Sequence, residues 1–584
     1  VKKIHDRNKY ITLNKLRTKI LLEADNNLKE SIENNTNNRV FYLKVPTGGG
    51  KTNTSLKLAL TILQNKPEIK KIFYVFPFIN IIEQNYEVIK NTLDLSEKDI
   101  SPIYSTSSWN LQSENRKEKL MYVLDNEFLN FPFVVMSNVN FFNTFIKSGK
   151  SSNYRLINLA NSVVILDEIQ SLDDTDWTAF NDFIRYSSKY LNIHYIIMSA
   201  TLPRLDKLDQ EKNNSYIDLL EDSSDYYDHE CFNDRVNFEY RENINNIEKI
   251  PKLILMETKK KKYKKILVVL NTIEDSINLY NELNSEKFRD DYKILLLNST
   301  ILSFRRKEII DKIQNSDDNT ILVSTQSVEA GVDIDCDLGI RDLAVFDSIE
   351  QVAGRINRNF KKKSAELIII KLMKKDTSRA ETVYRRSYRW KVIRENYLDK
   401  IDKFVKSRKF NLYYDYVTSS IKKYDSNPLI ETSKNFVDNG IRVLNFRTLN
   451  KMKVLDSDSI SFFTNVAIPK KNFSTIEQDF LKEQKIIINK KIKSSEVWQA
   501  YKNFNKKFYQ NMVDSKVDTK IWSAILSQFV INVFNYWKEG QKLSDRLGIK
   551  ENITFLHTGY SIEKGINPKK ITRENIETFD DFCA

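Results

Sequence analysis

A glycine-rich segment near the amino-terminal end constrains the fold more than any other feature of the sequence. The segment 46–52 (PTGGGKT) follows an apolar run, 39–45, and precedes leucines at helical spacing. A strand, a glycine-rich loop and a helix in this order bind phosphate, because backbone N–H groups converge at the positive end of the helix. The lysine can reach the β and γ phosphates of ATP, and the threonine hydroxyl can ligate Mg²⁺. The predicted nucleotide-binding residues are Gly48, Gly49, Gly50, Lys51 and Thr52.

Glycine is rare elsewhere in the chain. It accounts for 12 of 584 residues, whereas about 7% is usual. A chain that uses so little glycine keeps it where the backbone needs a positive φ or must approach another group closely. Five of the twelve lie in the three motifs described in this section: Gly48, Gly49, Gly50, Gly331 and Gly354.

A second apolar run, 162–166, ends in two carboxylates. Asp167 and Glu168 open the box DEIQ, which closes with Gln170. An acidic residue at the end of a buried strand can hold the magnesium of a phosphate loop, so Asp167 is predicted to be a metal ligand. Glu168 is predicted to be the base that orients the attacking water.

Two further strand ends fit the same sheet. The run 71–76 leads into 77–84 (PFINIIEQ), and the run 193–198 leads into 199–201 (SAT). Strands that alternate with helices indicate a mostly parallel sheet covered on both faces, with ligands at the carboxyl ends of the strands.

A second series of strands and helices follows, without a phosphate loop of its own. Its predicted strands are 265–270, 320–323 and 343–346, and the last precedes 351–358 (QVAGRINR). Arginines from such a lobe can complete the site of the first lobe, because a guanidinium at the γ-phosphate stabilises the charge of the transition state. The residues predicted to do so are Gln351, Arg355 and Arg358.

The composition excludes several classes of protein. Three scattered cysteines predict neither a disulfide framework nor a zinc site. No apolar run approaches the ~20 residues of a membrane span, so a cytoplasmic protein without a membrane partner is expected. The formal charge of +14 suits a polyanionic partner, and equally a lysine-rich solvated surface. From residue 376 the chain is helical, aromatic and basic, and its segment 384–391 (YRRSYRWK) suits either a clamp on a nucleic-acid strand or simple packing.

The ordered motifs resemble those of superfamily 2 helicases, whose two tandem RecA-like lobes carry them in this order. They resemble most closely the CRISPR-associated helicase of type I interference systems. The resemblance covers about residues 10 to 375, and the segments that carry it are 13–17 (LNKLR), FPFINIIEQ, DEIQ, 324–335 (STQSVEAGVDID), and Gln351 with GRINR.

This resemblance implies an ATP-dependent translocase that pulls single-stranded DNA in the 3′ to 5′ direction and is recruited by a Cascade-type surveillance complex. It adds Gln170, Gly331 and Asp333 to the nucleotide site. The DNA contacts that it implies are Pro77, Ser137, Thr201, Thr272 and Thr325.

Three departures from the family pattern stand out. Val352 replaces the first arginine of the Gln-Arg-x-Gly-Arg order, and 298–300 (NST) stands where His-Ser-Arg is usual. The family also carries a metal-dependent HD nuclease domain, whereas this chain has four histidines that form no local array. We therefore expect the nuclease activity to be supplied elsewhere, for instance by a separate HD nuclease.

The expected fold class is α/β, with two tandem RecA-like parallel-sheet lobes and a mainly helical carboxy-terminal accessory domain. The predicted boundaries are a lead-in at 1–35, lobe one at 36–235, lobe two at 236–375, and a linker with the accessory domain at 376–584. Two alternatives stay open at this point. One is a superfamily 2 motor on RNA or duplex DNA outside CRISPR, and the other is a nucleotide-gated nucleic-acid binding module.

Overall fold

Two parallel sheets organise the molecule, and their strands come mostly from the apolar runs of the sequence. The structure is a computed structural model. It describes residues 2–34, 38–103, 116–147, 150–201, 203–209, 216–221, 223–233, 235–284, 288, 290–329, 331–360, 362, 364–407, 410–426, 439, 459–508, 515–536, 541–549 and 553–577.

The first sheet has seven strands in the order β3-β4-β2-β5-β6-β1-β7, all paired in parallel. The elements of this lobe are α1 (Lys2–Glu33), β1 (Val40–Lys44), α2 (Lys51–Asn65), β2 (Lys71–Phe76), α3 (Ile79–Thr92), β3 (Ile100–Ile103), α4 (Arg116–Phe128), β4 (Phe133–Ser137), α5 (Asn138–Ile146), α6 (Lys150–Leu159), β5 (Ser162–Asp167), α7 (Trp177–Tyr190), β6 (His194–Ser199), β7 (Ile217–Asp218), α8 (Ser223–Asp228) and α9 (Glu230–Asn233).

The strand order brings the predicted motifs of lobe one together. Strands β5, β6 and β1 are neighbours, so DEIQ, SAT and the phosphate loop follow three adjacent strands at one edge of the sheet. The central strands are continuous apolar runs without alternation, because helices cover both faces of a parallel sheet.

The second sheet has six parallel strands in the order β10-β11-β9-β12-β13-β8. Its elements are β8 (Val236–Arg241), α10 (Lys249–Lys260), β9 (Lys265–Val269), α11 (Ile273–Leu283), β10 (Lys293–Leu297), α12 (Ser303–Asn315), β11 (Thr320–Ser324), β12 (Leu338–Asp342), α13 (Phe346–Ala353) and β13 (Ala365–Ile370).

The strand predicted at 343–346 is wrong. The strand is β12, which ends at Asp342, and Phe346 already begins α13. The sequence of β12 contains Arg341, which does not read as a buried residue, yet its side chain is fully buried. Its guanidinium donates to Glu329 Oε1 at 2.8 Å and to Ser348 Oγ at 2.9 Å, and these bonds satisfy the charge inside the lobe.

The carboxy-terminal region is helical, as predicted, and it also contains a mixed four-stranded sheet in the order β19-β16-β20-β21. Its elements are β14 (Met373–Lys374), β15 (Thr377–Ser378), α14 (Arg379–Tyr384), α15 (Tyr388–Asn396), α16 (Ile401–Ser407), α17 (Phe410–Asp425), β16 (Ser459–Thr464), β17 (Ala467–Pro469), α18 (Thr475–Glu483), β18 (Lys491–Lys493), α19 (Ser494–Phe508), α20 (Ser515–Ser527), β19 (Val530–Phe534), α21 (Leu543–Leu547), β20 (Ile553–Leu556) and β21 (Ile576–Glu577).

One apolar core joins both lobes to helices α15–α17. Phe346 of lobe two stacks on Phe404 of α16 with ring centroids 4.2 Å apart and meets Tyr413 of α17 at 5.2 Å. A separate core holds the carboxy-terminal sheet together and includes Val123 of lobe one and Phe304 of lobe two. Both lobes are therefore bound to the carboxy-terminal region by buried apolar contacts.

The segment 384–391 packs inside the protein more than the sequence indicates. Helix α14 ends at Tyr384 and α15 begins at Tyr388, so the segment does not form one helical face. Tyr388 and Trp390 are buried, which favours packing over the clamp for these two residues. Within the described part of the chain, no helix is both long enough and apolar enough to cross a bilayer.

Candidate nucleotide site between the two lobes

The glycines of the phosphate loop have the conformations that such a loop requires. Gly48 and Gly50 both have φ of +88°, in the left-handed region. A Cβ on Gly49 would lie 2.5 Å from Cγ1 of Val45, so no other residue fits. Helix α2 begins at Lys51, and its N–H groups and positive end therefore face the loop.

Arg17, from the long helix α1, supports this loop from outside. Its Nε donates to the carbonyl oxygen of Gly48 at 2.8 Å, and its aliphatic carbons pack 3.5 Å from the position of a Cβ on Gly50. The segment 13–17 was noted only as part of a resemblance, and no role was predicted for Arg17. The sequence contains no signal for this contact, because the two partners are 31 residues apart.

An Arg17→Met variant should raise the KM for ATP about tenfold, because one charge-assisted hydrogen bond contributes about 1.5 kcal/mol to the loop conformation. Steady-state ATPase assays would measure it, with Lys15→Met, an exposed position on the same helix, as the matched control. An unchanged KM in the Arg17 variant would contradict this role.

Lys51 and Glu168 form an ion pair at the centre of the site. The other carboxylate oxygen of Glu168 accepts hydrogen bonds from the amide of Gln170 and, at 3.0 Å, from the hydroxyl of Ser199. Glu168 has φ of +51°, a conformation that costs free energy in a non-glycine residue and is frequent at functional sites. The amide of Gln170, which was predicted to contact the nucleotide, therefore lies against Glu168.

Electrostatics keep this pair charged. Burial opposes the Lys51 ammonium, but the attraction of Glu168 and Asp167 outweighs burial and raises the pKa of Lys51. Burial likewise opposes the Glu168 carboxylate, but the Lys51 charge and the hydrogen bonds from Lys51, Gln170 and Ser199 together outweigh burial and lower the pKa of Glu168. Burial raises the pKa of Asp167, although Lys51 opposes this shift.

The residues present fit a magnesium ion. Oδ1 of Asp167 is buried and has no hydrogen-bond partner among the described residues, and Thr52 opens α2 beside Lys51. Within the described ranges, no group of three or more His, Cys, Asp or Glu side chains could hold a metal. Magnesium often needs only one or two carboxylates, since phosphates and water complete its shell.

Arg355 reaches this site from lobe two. Its Nε donates to the carbonyl of Val328 at 3.1 Å and its Nη2 to that of Glu329 at 2.8 Å. Burial and the neighbouring Arg358 lower the pKa of Arg355 to about 9, which leaves it charged at neutral pH. Glu168 is among the charges that act on the pKa of Arg355, and the residue before it, Gly354, packs against Thr47 of the phosphate-loop segment.

Arg358 and Asp333 lie farther out. Nε of Arg358 is 3.1 Å from Oδ1 of Asp333, and more than half of the Asp333 side chain is exposed. Arg358 and Asp333, both predicted site residues, therefore contact each other. Gln351 is half-buried near the end of α13.

Among the described residues, the two lobes are in contact at several places across the cleft. A Cβ on Gly331 would lie 2.4 Å from Cγ1 of Ile81, and one on Gly354 would lie 2.8 Å from Cγ2 of Thr47. Nζ of Lys307 lies 2.9 Å from a carboxylate oxygen of Glu83. Close packing of this kind requires glycine at the two contacts in lobe two.

Arg235, just before β8, also spans the cleft. Its Nη1 donates to the carbonyl of Thr47 in the phosphate loop at 3.3 Å, and its Nη2 to that of Ala353 at 3.5 Å. It is 3% exposed and its charge contributes to the lowered pKa of Arg355. The predicted boundary between the lobes lies at Arg235, but no role at the site was predicted for this residue.

The predicted DNA contacts lie at strand ends, two of them as helix caps. Ser137 accepts from the N–H of Asn140 at 3.3 Å, and Thr272 accepts from that of Asp275 at 3.1 Å. The other three, Pro77, Thr201 and Thr325, are buried. The N-terminal ends of α5 and α11 present backbone N–H groups that can bind phosphate. Contact with DNA at these five residues stays a prediction.

Comparisons with known proteins identify two domains. The profile of the DEAD/DEAH box helicase family matches residues 26–208, and that of the C-terminal part of the CRISPR-associated nuclease/helicase Cas3 matches residues 262–361. The CRISPR-associated nuclease/helicase Cas3 of Streptococcus thermophilus is 25% identical over 384 residues, which are 57% of this chain and 40% of that protein. That of Methanothermobacter thermautotrophicus is 36% identical over 99 residues, 16% of this chain and 11% of the relative.

Solved structures show the same fold. The crystal structure of T. fusca Cas3 with AMPPNP has a TM-score of 0.55 at 15% identity and covers 88% of this chain and 64% of its own. The crystal structure of T. fusca Cas3 with ATP has a TM-score of 0.56 at 14% identity and covers 95% of this chain and 69% of its own. The chain thus spans less than half of the curated relatives that it matches.

Proposed function

Because this chain carries the motor domains of a Cas3-type superfamily 2 helicase, we propose that it is an ATP-driven translocase. Its track is single-stranded DNA, travelled in the 3′ to 5′ direction, and it acts in the cytoplasm in type I CRISPR interference. One observation supports the proposal most: lobe one pairs Lys51 with Glu168 beside the phosphate loop, and Gly354 of lobe two, the neighbour of Arg355, packs against Thr47 of that loop segment.

Before ATP binds, Lys51 and Glu168 pair with each other. A triphosphate in the loop offers Lys51 more negative charge than one carboxylate does, so the ammonium moves to the phosphates. Glu168 is then free to orient water and accept its proton. Ser199 and Gln170 keep the carboxylate in place during this exchange.

Asp167 and Thr52 would hold the magnesium ion, which when bound neutralises the charge of the β and γ phosphates. Asp167 needs to be ionised for that, and a cation beside it favours the ionised form. The buried oxygen of Asp167 gains a partner in this way.

On this proposal, the segment 325–328 of lobe two takes part in both DNA binding and ATP hydrolysis. The predicted DNA contact Thr325 lies three residues before Val328, whose carbonyl holds the guanidinium of Arg355. A DNA strand bound at Thr325 would therefore displace the Val328 carbonyl that holds Arg355. We infer that DNA accelerates hydrolysis through this loop.

The partner and the nuclease are part of the same proposal. The names of the curated relatives contain CRISPR-associated nuclease/helicase, and the motor domains alone account for no cleavage. We propose a Cascade-type surveillance complex as the recruiting partner and a nuclease activity supplied elsewhere.

The test measures ATP hydrolysis with Mg²⁺ and with single-stranded DNA, duplex DNA or RNA, followed by displacement of streptavidin from biotin at either end of a DNA strand. We expect single-stranded DNA to stimulate hydrolysis most, and streptavidin to leave the 5′ end, since a 3′ to 5′ motor arrives there. AMPPNP in place of ATP is the control and should displace none.

Each other result decides against a part of the proposal. Stimulation by RNA alone would favour an RNA motor of superfamily 2, and loss of streptavidin from the 3′ end would reverse the direction. Displacement with AMPPNP equal to that with ATP would indicate a nucleotide-gated binding module.

A further inference from the structure

Arg389 lies where three parts of the chain meet. It is the second residue of α15, and its Nε donates to Oδ2 of Asp174 in lobe one at 3.0 Å. Its Nη1 donates to Oδ2 of Asp347 in lobe two at 2.7 Å and to the carbonyl of Gln170 at 2.8 Å. Two carboxylates from two lobes thus share one guanidinium.

The burial of this cluster makes the arginine necessary. Asp174 is fully buried and Asp347 is 5% exposed. The backbone N–H of Arg389 also donates to Asp174 at 2.9 Å, and the guanidinium lies over the ring of Trp177 at 5.6 Å. Two buried carboxylates without a cation between them would repel each other and lose their hydration, so they would drive the lobes apart.

Two of the partners of Arg389, Gln170 and Asp347, lie close in the chain to residues of the nucleotide site. Gln170 lies in the turn that begins with Glu168, and its amide donates to that carboxylate. Asp347 lies in the first turn of α13, and Arg355 follows the last residue of that helix by two. The helix is rigid and spans about 9 Å between Asp347 and its end, so a fixed Asp347 fixes the start of the arginine loop.

We propose that Arg389 is a positioning residue that ties the turn of Glu168 in lobe one to helix α13 in lobe two, and so sets the lobe closure at which Arg355 reaches the nucleotide. This inference rests on the proposed function, because it concerns the geometry of ATP hydrolysis. Within the basic segment 384–391, Arg389 would thus act inside the protein rather than in binding nucleic acid.

The test compares Arg389→Met with Arg394→Met in the full chain. Methionine keeps most of the apolar volume at position 389, and Arg394 is an exposed arginine on the same helix, outside the segment 384–391. We measure kcat and KM for ATP at saturating single-stranded DNA, the affinity for a fluorescent ATP analogue, and the thermal unfolding temperature.

We expect Arg389→Met to lower kcat at least about tenfold, which lies within the usual range of coupling between sites. The KM and the nucleotide affinity should change less than about twofold, because the phosphate loop lies entirely on lobe one. Arg394→Met should match the wild type in all four measurements. A purely structural role would lower kcat and nucleotide affinity together.

Asp347→Asn provides a second, milder test, because it weakens only the tie to lobe two and leaves Arg389 paired with Asp174. It should lower kcat severalfold at an unchanged nucleotide affinity, and it decides the matter alone if Arg389→Met does not fold. A wild-type kcat in both variants, or a loss of kcat in step with nucleotide affinity and unfolding temperature, would overturn the inference. A wild type without DNA-stimulated hydrolysis would instead sink the proposed function itself.

Discussion

An Arg355→Met variant is expected to hydrolyse ATP about a thousandfold more slowly than the wild type at saturating single-stranded DNA. In the proposed mechanism the guanidinium is the cation that lobe two brings to the γ-phosphate, and it accounts for this loss; the carbonyls of Val328 and Glu329 hold it in place. Because the phosphate loop is untouched, the affinity for ATP should stay close to that of the wild type. Single-turnover hydrolysis and equilibrium nucleotide binding measure the two effects.

Arg358→Met is the informative comparison for this prediction. The sequence predicted the same role for both arginines, but Arg358 pairs with the exposed Asp333, whereas the half-buried Arg355 is held by the carbonyls of Val328 and Glu329. We expect a much smaller loss of rate for Arg358→Met. A larger loss of hydrolysis rate for Arg358→Met than for Arg355→Met would show that Arg358, and not Arg355, is the arginine that acts on the γ-phosphate.

A Glu168→Gln variant is expected to lose a factor of about 10² to 10⁴ in kcat, the usual contribution of a positioned general base. The amide cannot take the proton of the attacking water. It also cannot form the ion pair with Lys51, so the lysine is available to the phosphates before ATP arrives. We therefore expect ATP to bind at least as tightly as to the wild type.

The control for this prediction is Glu87→Gln, an exposed glutamate on α3, which should behave as the wild type. Assays of hydrolysis, nucleotide affinity and streptavidin displacement should be run together. Intact displacement by the Glu168 variant, with hydrolysis lost, would mean that the strand is moved without hydrolysis and would favour a binding module.

Six of the seven predicted strands agree with the structure to within one residue at each end, because each is a continuous apolar run. The run 71–76 is β2 and the run 162–166 lacks only Asp167 of β5. The strand β12 escaped because Arg341 interrupts its apolar pattern. The partners that make this charge tolerable, such as Glu329, become visible only after folding.

Motif spacing also predicted which residues meet in lobe one, since adjacent parallel strands bring their carboxyl ends together. It could not predict contacts between distant segments, and this is why Arg17, Ser199, Arg235 and Arg389 were missed as site residues. Each makes a bond to a partner at least about 30 residues away, and neither periodicity nor composition records such a pairing. The roles assigned to the site residues stay predictions until the variants are measured.

The apolar core shared by the two lobes and helices α15–α17 limits how far a single turnover can displace them. Pulling Phe346 away from Phe404 and Tyr413 would expose three aromatic rings, at a cost on the order of 10 kcal/mol. On the proposed cycle, the lobes are therefore expected to move past each other by small amounts with this contact intact. Each ATP would then advance the DNA strand by a short step, so long travel along DNA would require many successive turnovers without release.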